Sequence, residues 1–122
     1  MEELIILGRL DGLNDYTKAC RTNKFAGNKM KQENEGHIIP FIRSQLKDER
    51  FERVAIRFNW IEPNKRRDPD NVAFAKKFIL DALVKEGVIK NDTLKYIEHF
   101  EDHFYVDPNR PRVEVWITEI ED

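Results

Sequence analysis

Apolar and polar residues change rhythm several times along the chain, and each rhythm predicts an element. Val54, Ile56, Phe58 and Trp60 alternate with Arg53, Arg57 and Asn59, the period of two that gives a strand one dry face and one basic, wet face. Val72, Ala75, Phe78, Ile79, Ala82 and Leu83 recur instead at steps of three and four, which lines one side of a helix. Gly87 supplies its stop, because glycine readily takes the left-handed conformation that ends helices. Leu4 to Leu10 is a short apolar run with β-branched content, expected to be a strand buried on both faces and ended by Asp11-Gly12. Asn14 or Asp15 can cap the helical segment that follows, which runs through Lys31 although Gly27 weakens it. A second stripe, Ile38, Phe41, Ile42 and Leu46, contains Pro40. Proline removes a donor and clashes with the preceding turn, so a break or a fresh helix start is expected near Ile39.

Asn91-Asp92 marks a turn, Leu94 to Val106 reads as a long irregular strand, and Asp107-Pro108-Asn109 is turn chemistry. Val113 to Thr118 alternates again and is expected to pair back as the second arm of a hairpin. The order is strand, helix or helices, strand, helix, strand, strand. It predicts an α+β fold, a mixed sheet with helices packed on it. The 122 residues suit one domain over 1–122, which at this size buries roughly two-thirds of the surface its unfolded chain exposes.

Composition narrows the picture. Hydrophobic residues make up 40% and charged residues 36%, so a small core sits under a broad wet surface. No run approaches the roughly 20 apolar residues of a membrane helix, and Met1 to Arg9 lacks the basic start and cleavage pattern of a signal peptide. A cytoplasmic protein without membrane partners is the expectation. Cys20 stands alone, which excludes an internal disulfide and a cysteine-based zinc site. Net charge is −2, from 21 basic and 23 acidic residues, so nucleic-acid binding would have to come from local patches. One such patch lies between Tyr16 and Lys31, where Lys18, Arg21, Lys24, Lys29 and Lys31 meet no acid.

The densest chemistry is Lys65-Arg66-Arg67-Asp68-Pro69-Asp70-Asn71. Asp68 and Asp70 project to the same side if the segment is extended, and hard divalent cations such as magnesium take carboxylate oxygens together with water and phosphate oxygens. Asp92, just past the helix, is a candidate third ligand if that helix folds back along the sheet. A cation relieves the repulsion of clustered carboxylates and supplies the chemistry of displacement at phosphorus. The same residues also make a good helix start, with Asp68 as N-cap, Pro69 at the first helical position and Asp70 in the first turn.

The string R66-R67-D68-P69-D70-N71, then K77-F78-I79-L80-D81-A82-L83 and G87-V88-I89-K90-N91-D92, resembles the RusA family of Holliday junction resolvases, which are small, often prophage-borne, homodimeric endonucleases. The likeness covers residues 65–92 well and extends more loosely to I117-T118-E119. The first fifty residues agree only in kind. The resemblance implies a RusA-like fold and a magnesium site of Asp68, Asp70 and Asp92, with manganese as a substitute. It also implies a helix lysine supporting the scissile phosphate. About three extra residues separate Asn71 from that lysine relative to the family pattern, so Lys76 and Lys77 are both candidates, and counting back from Asp81 selects Lys77. Asn91-Asp92 stands where the family has paired acids, and Pro69 where an aliphatic residue is usual. The implied activity is Mg²⁺-dependent resolution of four-way DNA junctions by two symmetric nicks, in recombination and repair, by a homodimer. The hairpin around Val113, Val115 and Ile117 is one expected contact surface for that dimer.

Lys65, Arg66 and Arg67, with Lys76 nearby, could grip phosphates, since cations supply backbone affinity without reading sequence. The segment holding Lys18, Arg21, Lys24 and Lys29 could do the same, with Tyr16 and Phe25 stacking on an unpaired base. His99, Glu101 and His103 do not match a zinc-protease helix in order or setting. Two other classes fit the residues: a branched-nucleic-acid binder without catalysis, in which the acids cap the helix, and a phage regulatory protein that binds another protein through its acidic C-terminal half.

Overall fold

The computed structural model describes residues 1–121. In chain order they form β1 (Glu2–Leu7), α1 (Leu13–Thr22), α2 (Lys24–Gln45), β2 (Val54–Glu62), α3 (Pro69–Ala73), α4 (Lys76–Lys85), β3 (Ile97–Val106) and β4 (Arg112–Glu119). The strands make one four-stranded sheet in the order β1-β4-β2-β3. β4 runs antiparallel to both its neighbours, and β3 runs parallel to β2. Parallel neighbours need a long crossover, and here it is α3 and α4. The fold is therefore α+β with a mixed sheet in a single domain.

The alternation in β2 is kept on its dry face only, because on the face expected to be wet Asn59 and Ile61 are buried as well, 2% and 5% exposed. Val54, Ile56, Phe58 and Trp60 enter a core shared with Leu4 and Ile6 of β1, Ile38 and Ile42 of α2, and Phe78, Ile79 and Leu83 of α4. The helices cover only that face. On the other face the Arg57 guanidinium lies 4.6 Å from the Trp116 ring centroid.

Six expectations are corrected. β1 stops at Leu7, where Gly8 at φ +89 turns the chain. It is buried on one face only, since Leu7 is 40% exposed on the side no helix covers. The helical break falls at Asn23 and not near Ile39: the Asn23 carboxamide accepts from the amides of Phe25 and Ala26, both at 2.9 Å, and so caps α2, which then continues through Pro40. The expected helix from Val72 divides into α3 and α4 at Phe74-Ala75, where tightened bonds run from Ala75 N to Val72 O (3.2 Å) and from Lys77 N to Phe74 O (3.1 Å). β4 does not form a hairpin with β3. It enters between β1 and β2, because a strand with Val113, Val115 and Ile117 all on one face is best buried centrally, whereas β3 leaves Phe104, Tyr105 and Val106 exposed at an edge. Val113, Val115 and Ile117 are thus core residues, each at most 4% exposed, and offer no surface to a second subunit.

Candidate functional site

The acids at 68 and 70 are presented by a loop that the rest of the molecule holds in place. Asn64 accepts from the Arg66 amide at 3.0 Å. Arg67 turns inward, donating to the Leu10 carbonyl at 2.9 Å and to Asp15 Oδ2 at 3.3 Å, which joins the loop to the start of α1. Asp68 takes the extended N-cap conformation with Pro69 behind it, yet its carboxylate makes no cap bond. Asp70 sits exposed in the first turn. Among the described residues neither carboxylate is engaged by a hydrogen bond or an ion pair. The helix-start reading is right about the backbone of this heptapeptide, while the two side chains keep their oxygens free.

Asn71 does a different job. Its Oδ1 accepts from the Asn14 amide at 2.9 Å and so caps α1 from another helix, at an end where the N-cap residue is Gly12 and has no side chain to offer. Asp15 completes that end by accepting from the Gly12 amide at 2.9 Å.

The structure separates the two candidate lysines. Lys76 points inward: its Nζ lies 2.7 Å from Asp102 Oδ2 and 4.8 Å from the Phe100 ring centroid, while Asp102 also accepts from Trp60 Nε1 at 2.8 Å. Lys77 points along the helix to Asp81 Oδ1 at 3.1 Å and across to Asp92 Oδ2 at 3.4 Å. The hydrogen bond with Asp81 pushes the Lys77 pKa above the ordinary lysine value, against a smaller lowering by burial and with added attraction from Asp81 and Asp92. Lys77 is therefore a fixed positive charge and a poor proton acceptor. Lys31 reaches Asp81 Oδ2 at 3.0 Å, so Asp81 is held from two sides.

The structure brings Asp92 to Lys77. It does not bring Asp68, Asp70 and Asp92 together: among the described residues no group of three or more His, Cys, Asp or Glu side chains is gathered to hold a metal ion. The free carboxylates at 68 and 70 are the right hard donors for magnesium, and the third expected oxygen is occupied by an ammonium group.

Of the expected phosphate contacts, Lys65 and Arg66 are exposed, whereas Arg67 and Lys76 are tied to internal partners. Lys18 and Arg21 line a shallow groove with Asn14, Thr17 and Thr22. Lys24 lies over the Phe25 ring at 5.1 Å, and Lys29 faces Glu33 at 3.9 Å. Tyr16 packs on Phe74, with ring centroids 5.3 Å apart, so of the two aromatics considered for stacking only Phe25, 69% exposed, is open. Sequence reasoning passed over Asn71 as a cap, Asp102 as the anchor of Lys76, and Lys31 as a partner of Asp81. Only the Asn after the acid pair carried any local signal. No model of a known protein family matches the chain, and neither does any curated protein.

Proposed function

We propose that the chain is a Mg²⁺-dependent endonuclease that acts on branched DNA, four-way junctions in particular, as a homodimer whose two sites serve the two opposed strands. The observation that carries this reading is the pair of unspent carboxylates, Asp68 and Asp70, fixed at a helix start beside the exposed cations Lys65 and Arg66. Asp68 and Asp70 would hold the metal, and Asp92 would join them only if it left Lys77 and the segment that carries it moved toward them. A bound divalent cation would supply charge neutralisation at the phosphodiester and an ionised water. Lys77, kept protonated by Asp81, would neutralise a phosphate oxygen without taking a proton. Lys65 and Arg66 would grip the backbone beside the cut.

The test is a labelled synthetic four-way junction and a linear duplex, each with and without Mg²⁺, for the native chain and Asp70→Asn. Nicking of the junction in Mg²⁺ by the native chain, with loss of at least a hundredfold in Asp70→Asn and retained junction binding, is the expected result. Equal nicking by Asp70→Asn would remove Asp70 from the site. A second reading, a branched-DNA binder without catalysis, is favoured by one feature: Asp92 is paired with Lys77, so its charge is balanced within the chain. Such a binder would respond to Mg²⁺ only through ordinary screening.

A further inference from the structure

Next to Asp68 the surface opens into a cleft of about 400 Å³, within the range that suits a small planar ligand. One wall is the end of β3, where Phe104 and Val106 lie in register with Trp60 and Glu62 of β2. The other is the loop and helix start that carry Lys65, Asp68, Pro69 and Val72. Trp60 is 2% exposed, yet its register neighbour Phe104 is 42% exposed, and Val106 beyond it is 45% exposed. The helices that cover this side of β2 leave the end of β3 open.

The polar groups of the cleft divide sharply. Glu62 is held by Arg9 at 2.7 Å and Arg67 by Leu10 and Asp15. Lys65 has no ion-pair partner among the described residues and is exposed. Tyr105 also lines the cleft, but its hydroxyl accepts from the Arg57 guanidinium at 3.2 Å, so what remains available is the Phe104 ring, an apolar wall, one free cation and the carboxylate of Asp68 at the rim. A free phosphate would use Lys65 and leave Phe104 idle. An apolar peptide side chain would use Phe104 and gain nothing from Lys65. An unpaired base with its own phosphate uses both, because every base has a face that stacks and every nucleotide a charge that a lysine can meet.

We propose that this cleft receives an unpaired base of branched DNA, stacked on Phe104 with its phosphate at Lys65, so that the strand leaving the cleft passes Asp68. This rests on the nucleic-acid reading above and adds how the substrate is recognised: by a base already free of its partner, as at a branch point.

Binding is measured in EDTA, so that no strand is cut, with a duplex containing one bulged adenine and the same duplex with an abasic bulge. The native chain should prefer the bulged adenine by about tenfold. Phe104→Leu, which keeps an apolar side chain of similar bulk and removes the flat ring, should abolish the preference and leave abasic binding unchanged. Its thermal melt shows whether it is folded, and Phe104→Tyr, which retains a ring, should restore the preference. Lys65→Ala should weaken both duplexes by the same factor. Equal binding of the two duplexes by the native chain, no binding of either, or an undiminished preference in Phe104→Leu overturns the proposal. Nicking in Mg²⁺ without base preference would sink the cleft alone, and base preference without nicking would sink the nuclease alone.

Discussion

Gly12 shows how tightly single positions are constrained near the site. A β-carbon there would lie 2.5 Å from Asn71 Oδ1 and 2.8 Å from the Asn71 carbonyl oxygen, so α1 and α3 can approach only because residue 12 has none. Gly12→Ala should cost about 1–3 kcal/mol through forced displacement, read as a lower urea midpoint with unchanged slope. Asp107 gives a pH-dependent case. Backbone hydrogen bonding from the Asn109 amide, helped by Arg112 and the Arg110 amide, holds its pKa below the usual 3.8. Because the folded value is the lower one, its contribution is complete above 3.8 and is lost as pH falls through the folded value. Asp107→Ala should therefore melt below the native chain at neutral pH, with the gap closing in stronger acid. At this scale the sequence made residue types legible and left partners hidden. The acids at 68 and 70 stand out from their spacing. That Lys77 would face Asp92 while Lys76 faced Asp102 depends on where β3 and the 86–96 loop lie, and helical spacing alone carries no such information.

At the scale of elements, local chemistry was a good guide wherever one signal acted alone. Gly87, at φ +73, ends α4 as expected, with its amide on Val84 O and the Val88 amide on Leu83 O, both at 3.0 Å, the paired bonds of a Schellman stop. Local signals misled where two competed. Pro40 should break a helix, yet α2 passes through it: Pro40 and Gly36, whose carbonyl loses its donor, are both exposed, and water can satisfy that carbonyl. Buried Ile38 and Ile42 on the opposite side keep the helix docked. Pro40→Ala should restore the missing bond and raise stability by about 1–2 kcal/mol, seen as a higher melting temperature and, by amide exchange, as protection of the amide that the substitution introduces at residue 40. The division of α3 from α4 has a similar origin. The tightened turn at Phe74-Ala75 sets Phe74 against both Tyr16 and Phe78, at 5.3 and 5.7 Å between ring centroids, a contact between elements far apart in sequence.

Across the whole molecule, α2 and α4 meet over a seam that is not wholly apolar. Glu35 is 2% exposed and lies 2.7 Å from Lys85 Nζ, an ion pair by distance in which neither Glu35 oxygen has an aligned hydrogen bond among the described residues. Lys85→Met would leave that carboxylate buried without its cation and should cost roughly 2 kcal/mol, less than a fully buried pair because the lysine side chain is 56% exposed. Adding Glu35→Leu should recover the loss, since an apolar pair of similar volume carries no desolvation penalty. A denaturation series over the two single variants and the double variant measures this coupling. No helix among the described residues is long and apolar enough to cross a membrane. The sequence by itself determined the α+β class, the dry face of β2, the helix stop at Gly87 and the acid pair at a helix start, because each follows from repeat spacing or backbone preference within a few residues. Only the tertiary structure decided that β4 lies between β1 and β2, that Asn71 caps a helix other than its own, and that Asp92 meets an ammonium group. Those outcomes depend on which distant surfaces bury the most apolar area together, and no short stretch of chain encodes that.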